Sequence, residues 1–264
     1  MHGLPLAVSA LMRDVAARVV MPRFRQLDAA DIMEKAPDDL VTVADRESEA
    51  ALAEGLLKLL PDARVVGEEA CATDPGLAGQ VGEGLVWIID PIDGTHNFAH
   101  GNPPFAIMIA LADNGRTEAG WILDPLSGRL CHAARGQGAW IDESPVVSRG
   151  SGETVPVAGL SVAYLPPEIR EGVEARAEGT LRCVPIPRCA GEQYPRIING
   201  QNDVALFWRT MVWDHAPGAL ILEEAGGRVA RFDGTPYAVG QTGTGLIAAA
   251  TPALWDRTAA ILAG

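Results

Sequence analysis

The stretch Trp87-Ile-Ile-Asp-Pro-Ile-Asp-Gly-Thr-His-Asn-Phe98 carries the reading of this chain. The apolar run Leu85–Asp90 has the texture of a buried central strand. It leads straight into two carboxylates three residues apart, Asp90 and Asp93, and then into Gly94-Thr95. Two acids closing a buried strand are costly unless a positive charge meets them there. If Thr95 opens a short helix, its free N–H groups form an anion site beside the carboxylates.

Working outward, the flanks alternate between two textures. Leu4, Val8, Leu11, Val15 and Val19 are spaced for an amphipathic helix over 4–24. A second helix is predicted over 45–60, with acids in its first turn and Pro61 past its end. Val65–Glu69 reads as a short strand ending in two acids. Segments 105–111 and 119–123 flank Asn114-Gly115, a hairpin signal, and a second turn at 125–128 leads into 129–134. Successive hairpins predict an antiparallel sheet. Beyond residue 143, strand-like segments (160–164, 181–186, 204–208, 227–231, 246–250) alternate with helical ones (167–178, 192–199, 214–224, 252–262), which predicts a mixed α/β half. The seam falls in 142–158. The prediction is therefore an α/β (α+β) chain in two halves, 1–142 and 143–264, with Asp214 in the second.

Composition narrows the function. At 264 residues and 48% hydrophobic content, the chain has enough apolar material for a full core. A net charge of −13 argues against nucleic-acid polymers and anionic membrane surfaces as partners. A small anionic substrate stays compatible, because bound cations reverse the field inside a site. No apolar stretch is long enough to span a bilayer. Cys71, Cys131, Cys183 and Cys189 show no CxxC spacing and read as reduced structural cysteines, which together with the absence of a signal-like start predicts a cytoplasmic protein.

Four acidic stations stand at element ends: Asp45, Glu68, the Asp90/Asp93 pair and Asp214. Side chains at such ends converge on clefts. Clustered carboxylates either hold protons or bind cations. An all-oxygen set suits Mg²⁺, Mn²⁺ or Ca²⁺, and the five histidines form no HxxxH pair to suggest zinc. Metals beside a phosphate-binding turn fit metal-assisted phosphoester hydrolysis. For any one acid alone, a helix cap or a solvated charge is the commoner role.

At these residues the sequence resembles the inositol monophosphatase family of Mg²⁺-dependent, lithium-sensitive phosphatases. The resemblance rests on Trp87–His100, on Trp213-Asp-His-Ala-Pro-Gly-Ala-Leu-Ile-Leu-Glu-Glu-Ala-Gly-Gly227, on Asp39-Leu-Val-Thr-Val-Ala-Asp45 and on Val66-Gly-Glu-Glu69, in that family's order and spacing. It implies a layered α/β/α/β/α sandwich, a homodimer, and a small phosphorylated alcohol as substrate. It implies that Glu68, Asp90 and the Ile92 carbonyl hold one Mg²⁺, that Asp90, Asp93 and Asp214 hold a second, and that Glu68 reaches a third. Thr95, oriented by Asp45, would help activate water, with Glu68 completing the catalytic set. Gly94 and Thr95 N–H groups would bind phosphate, beside Ile92, Asp93 and Asp214. Lys35, in Lys35-Ala-Pro-Asp-Asp-Leu40, matches a lysine near the metal site.

The second half departs from that family where substrate is chosen. Gly191-Glu-Gln-Tyr194 replaces a run of small residues, and Phe207 stands seven before Asp214, where inositol-specific members place a glutamate. An aromatic ring cannot accept hydroxyl hydrogen bonds as a carboxylate does. Phe207, Trp208 and Tyr194 are predicted either to stack on a flatter substrate or to serve as core. His96 and His215 either touch phosphate or face away. Histidinol phosphate, a sugar phosphate or a 3′-phosphonucleotide stand beside inositol phosphate as substrates. A non-catalytic phosphometabolite-binding protein is the other reading.

Overall fold

A computed structural model of the chain describes residues 3–36 and 39–263. Helix α1 (Leu4–Val15) widens into a π-helical stretch over Ala16–Val20. Strands β1 (Ile32–Ala36) and β2 (Asp39–Thr42) form a small hairpin, and α2 (Val43–Leu59) follows. Next come β3 (Arg64–Gly67), α3 (Glu68–Thr73), β4 (Leu85–Asp93), α4 (Thr95–Ala99), β5 (Ala106–Asp113), β6 (Arg116–Leu123), β7 (Leu130–Ala134), β8 (Ala139–Ile141) and β9 (Ser144–Val146). The remainder is β10 (Val157–Leu160), α5 (Pro167–Ala177), β11 (Arg182–Cys183), α6 (Ala190–Ile198), β12 (Val204–Phe207), α7 (Val212–Glu224), β13 (Arg228–Arg231), β14 (Leu246–Ala249) and α8 (Pro252–Ala263).

Strands β3 to β9 form a seven-stranded sheet in sequence order, antiparallel except for β3 beside β4. A five-stranded sheet runs β11-β10-β12-β14-β13, mixed parallel and antiparallel. Alternation along the strands assigns the layers. Trp87, Ile89, Ile107, Ile109 and Trp121 turn to one face of the larger sheet, against Val8, Met12 and Val15 of α1 and Leu52 and Leu56 of α2. Met108 and Ile122 turn to the other, against α6 and α7. Ala205, Phe207, Leu246 and Ala248 of the smaller sheet close on those same helices. Its far face, with Val204, Leu206 and Ile247, packs on α5 and α8. The order is α/β/α/β/α, as the resemblance implied.

Several boundaries differ from the sequence reading. The larger sheet continues through β9, so it extends past residue 142 into the expected seam. The expected strand over 160–164 is β10, ending at Leu160, followed by a 3₁₀ turn at Val162–Tyr164. The expected strand over 181–186 is only Arg182–Cys183, because Pro185 and Pro187 have no N–H to give a ladder. The strand expected over Val65–Glu69 stops at Gly67, and Glu68 begins a helix. Pro37 and Asp38, in the segment quoted for Lys35, lie outside the described residues.

Candidate active site

A regular strand points residues three apart to opposite faces, so Asp90 and Asp93 should diverge. They do not, because β4 is bulged between them. Asp90 pairs with Met108 and Asp93 with Ala106, which gives β4 one residue more than β5 over the same interval. The bulge re-aims the strand end, and both carboxylates line one cavity of about 440 Å³. Gly94 then takes φ 86, a conformation open to glycine, and a Cβ there would sit 3.0 Å from the Pro104 carbonyl oxygen. Thr95 begins α4 immediately afterwards.

Separate elements deliver the other acids. Glu68 is the first residue of α3 and Asp214 lies in the first turn of α7; both line the cavity with Lys35, Ile92, Gly94, Thr95 and His96. Asp45 stands just behind it. The sequence reading allowed Asp45 as a helix cap, but the cap of α2 is Thr42, and Asp45 is its reciprocal partner at the third helical position. Asp45 Oδ2 accepts from the Thr42 backbone N–H (2.8 Å) and from the Thr42 hydroxyl (2.5 Å), leaving Oδ1 3.2 Å from Thr95 Oγ1. The Thr95 hydroxyl lies 2.9 Å from the Ile92 carbonyl oxygen, its alternative acceptor. Asp93 is fixed from the second half: its Oδ2 accepts from the Gly191 N–H (2.5 Å) and the Cys189 thiol (3.0 Å).

Sequence reasoning missed two positioning acids. Glu49, on α2, accepts from the N–H groups of Glu69 (2.7 Å) and Ala70 (2.8 Å), which caps α3 from outside. Gly67 makes this possible, since a Cβ there would land on the Glu49 carboxylate. Glu69 shares the Lys35 ammonium with Glu68, each at 2.9 Å. Burial opposes the Lys35 charge, but the two glutamates outweigh it and raise its pKa. The Gly-Glu-Glu step hinted at Glu69; Glu49 lies too far away in sequence to leave a local signal.

The two histidines separate. His96 lines the cavity, its ring 4.4 Å from that of His100. His215 also lines it, yet both its ring nitrogens are engaged: Nδ1 with the Tyr194 hydroxyl and Nε2 with the Arg209 carbonyl oxygen, each at 3.0 Å. Burial pushes its pKa down to about 4, so it is a neutral, satisfied histidine. Tyr194 is fully buried, which selects core from the two roles that the sequence left open. Phe207 is 9% exposed, stacked on Tyr194 and edge-on to His215, while still lining the cavity. Pro217 sits in the second turn of α7 and packs on Gly120 of β6, where a Cβ would come within 2.8 Å of Pro217 Cα.

The carboxylates crowd one another. Burial lifts Asp45 to about 7 against the opposing Thr42 hydrogen bonds, and lifts Glu68 to about 7 against Lys35. Burial lifts Asp93 to about 6 despite the Gly191 and Cys189 donors. Asp90 and Asp214 are raised by burial first, then by their acidic neighbours. These folded-state values exceed those of the unfolded chain. The folded cluster therefore holds protons that the unfolded chain releases, and the stability these groups contribute is full below about pH 4 and lost as pH rises towards 7. Without divalent ions the melting temperature is expected to fall over that window. The slope is about 1.4 kcal/mol per pH unit for each such group. Added Mg²⁺ should restore the loss at pH 7.5 and do little at pH 5. A flat melting profile in chelator would contradict this electrostatic picture.

The donor set fits a hard divalent cation. It is all oxygen, and Asp90 Oδ1 is buried with no hydrogen-bond partner. Among the described residues no three His, Cys, Asp or Glu side chains already form a closed metal cage. Glu68 is turned onto Lys35 and Asp93 Oδ2 onto Gly191, so the carboxylates lean on protein donors instead.

Comparison with known proteins agrees with this geometry. The model of the inositol monophosphatase family matches residues 6–263. The inositol-1-monophosphatase of Bacillus subtilis is 30% identical over 231 residues, 86% of this chain and 84% of that one. A histidinol-phosphatase of Chlorobaculum parvum is 33% identical over 224 residues, 83% and 82% of the two chains. The solved structure of a Thermotoga maritima IMPase superposes with a TM-score of 0.82 at 27% identity, covering 100% of this chain and 97% of that one.

Proposed function

The chain belongs to the inositol monophosphatase family, and on that premise we propose that it is a Mg²⁺-dependent phosphomonoesterase acting on a small phosphorylated alcohol. The observation that carries this reading is the convergence of Glu68, Asp90, Asp93 and Asp214 on one cavity, with Asp90 Oδ1 left unpartnered. Those four side chains and the Ile92 carbonyl would hold two Mg²⁺, with Glu68 reaching a third. Bound there, the ions would polarise the phosphoryl oxygens and lower the pKa of a water.

The chain's own residues do the rest. The Gly94 and Thr95 N–H groups hold the phosphate at the turn that the left-handed Gly94 creates. Asp45, anchored by Thr42, orients the Thr95 hydroxyl towards the attacking water. With its pKa lifted to about 7, Asp45 can take up a proton near neutral pH. Water adds to phosphorus, the ester P–O bond breaks, and the alcohol leaves with a proton. The same reading carries a cytoplasmic homodimer inhibited by lithium; it is supported by the family, and among the described residues no helix is long and apolar enough to cross a membrane.

Inositol phosphate, histidinol phosphate, a sugar phosphate and a 3′-phosphonucleotide are the substrates to compare. We expect phosphate release from at least one, with Mg²⁺ and not with chelator. Release that survives chelation would overturn the metal dependence. No release from any would favour a phosphometabolite-binding protein.

A further inference from the structure

Two arginines enter the cavity from segments that the acidic cluster does not use. Arg188 lies on the approach to α6 and Arg209 just after β12, and both side chains are exposed while lining the cavity. Several exposed arginines elsewhere are engaged: Arg13 with Asp142, Arg116 with Glu118 and Arg25 with the Gly101 carbonyl oxygen. Among the described residues, the Arg188 and Arg209 guanidinium groups have no ion pair and no hydrogen bond. Arg209 lies 5.7 Å from the centroid of the Tyr164 ring, a cation–π contact that holds it without consuming its donors. Its charge also acts on Asp214, partly offsetting the upward push that burial and the acidic neighbours give that carboxyl. Arg188 has φ 54, a left-handed backbone that an L side chain adopts at a cost. Such strain clusters where a side chain must be aimed. Two uncommitted bidentate donors thus line the same cavity as the carboxylates.

We propose that Arg188 and Arg209 bind a second anionic group of the substrate, a carboxylate or a phosphate besides the one that is cleaved. This rests on the phosphomonoesterase reading for the first group. The substrate class is then a phosphate ester carrying another anion, and a neutral polyol phosphate is the poorer fit. Arginine forks match both carboxylate and phosphate oxygens. The Tyr164 ring, 43% exposed, also lines the cavity.

The test uses non-hydrolysable probes, so it does not depend on turnover. Calorimetry in Mg²⁺ compares plain alkyl phosphonates of two to five carbons with chains of the same length ending in a carboxylate or a second phosphonate. In the unmodified protein, at least one doubly anionic probe should bind about tenfold more tightly than its plain counterpart. In Arg188→Gln and Arg209→Gln that ratio should fall towards one, further in the double variant. The carboxylate and phosphonate arms identify which anion is preferred. A ratio near one at every length in the unmodified protein would overturn the proposal. So would a ratio kept in the double variant, or an equal weakening of plain and doubly anionic probes. Phosphate release from a monophosphate, measured in parallel, tests the underlying reading separately: a preserved ratio without release would leave the second-anion site standing and remove the phosphatase.

Discussion

Asp93→Asn is expected to cut Mg²⁺-dependent phosphate release by more than about a hundredfold. Removing a partner one step outside a metal site costs roughly ten- to a hundredfold, and Asp93 stands inside the cluster. The fold should survive. An asparagine oxygen can still accept the Gly191 N–H that Asp93 Oδ2 accepts now. Burial disfavours the Asp93 charge, and that charge pushes up Asp90 and Asp214, so a neutral amide relieves repulsion. In chelator at pH 7.5, the variant should melt at the same temperature as the parent or higher. Calorimetric melting beside a phosphate-release assay separates the two effects. A variant that keeps most of its activity would remove Asp93 from the metal set, and one that fails to fold would make it a structural residue.

The largest loss of stability is expected from Gly218→Ala. Gly218 lies in α7 directly against the Tyr194 ring on α6, and a methyl group there would overlap the ring. Tyr194 cannot yield easily. It is fully buried, stacked on Phe207, and bonded through its hydroxyl to His215 Nδ1. His215 in turn reaches the Arg209 carbonyl oxygen. Overpacking of this kind costs about 3 kcal/mol, which in a chain of this size lowers the melting temperature by roughly 6–12 °C. Activity should fall as well, because α6 opens with the Gly191 N–H that fixes Asp93. An unchanged melting temperature would mean that α6 and α7 do not pack in the register described.

Much of this site was legible in the sequence, for a physical reason. Asp90, Asp93, Gly94 and Thr95 are contiguous, and buried acids before a Gly-Thr step have few other uses. Asp214 was legible as an acid at a helix start. What escaped was non-local. The bulge that turns Asp90 and Asp93 to one side is a property of the pairing of β4 with β5, which neither strand shows alone. Glu49 acts across twenty residues, through contacts that only the folded chain creates; Lys35 was singled out by resemblance, but not its pairing with Glu68 and Glu69. Tyr194 looked like a candidate for stacking on substrate because aromatic rings near a site suit ligand and core alike; burial decided for core. The strand expected over 181–186 failed because the apolar pattern was weighed without its prolines.

Helix α7 has consequences for motion. From Trp213 to Leu222 nearly every side chain is buried, because the helix lies between the two sheets, and Asp214 rides on its first turn. A helix with no solvent-facing side cannot fray by itself. Its amide hydrogens should therefore exchange with deuterium only when the whole molecule opens. The protein would then have no partly open form in which Asp214 swings away while the sheets stay intact. The cavity then opens past the exposed Tyr164, Arg188 and Arg209 onto an acidic floor held as firmly as the core itself.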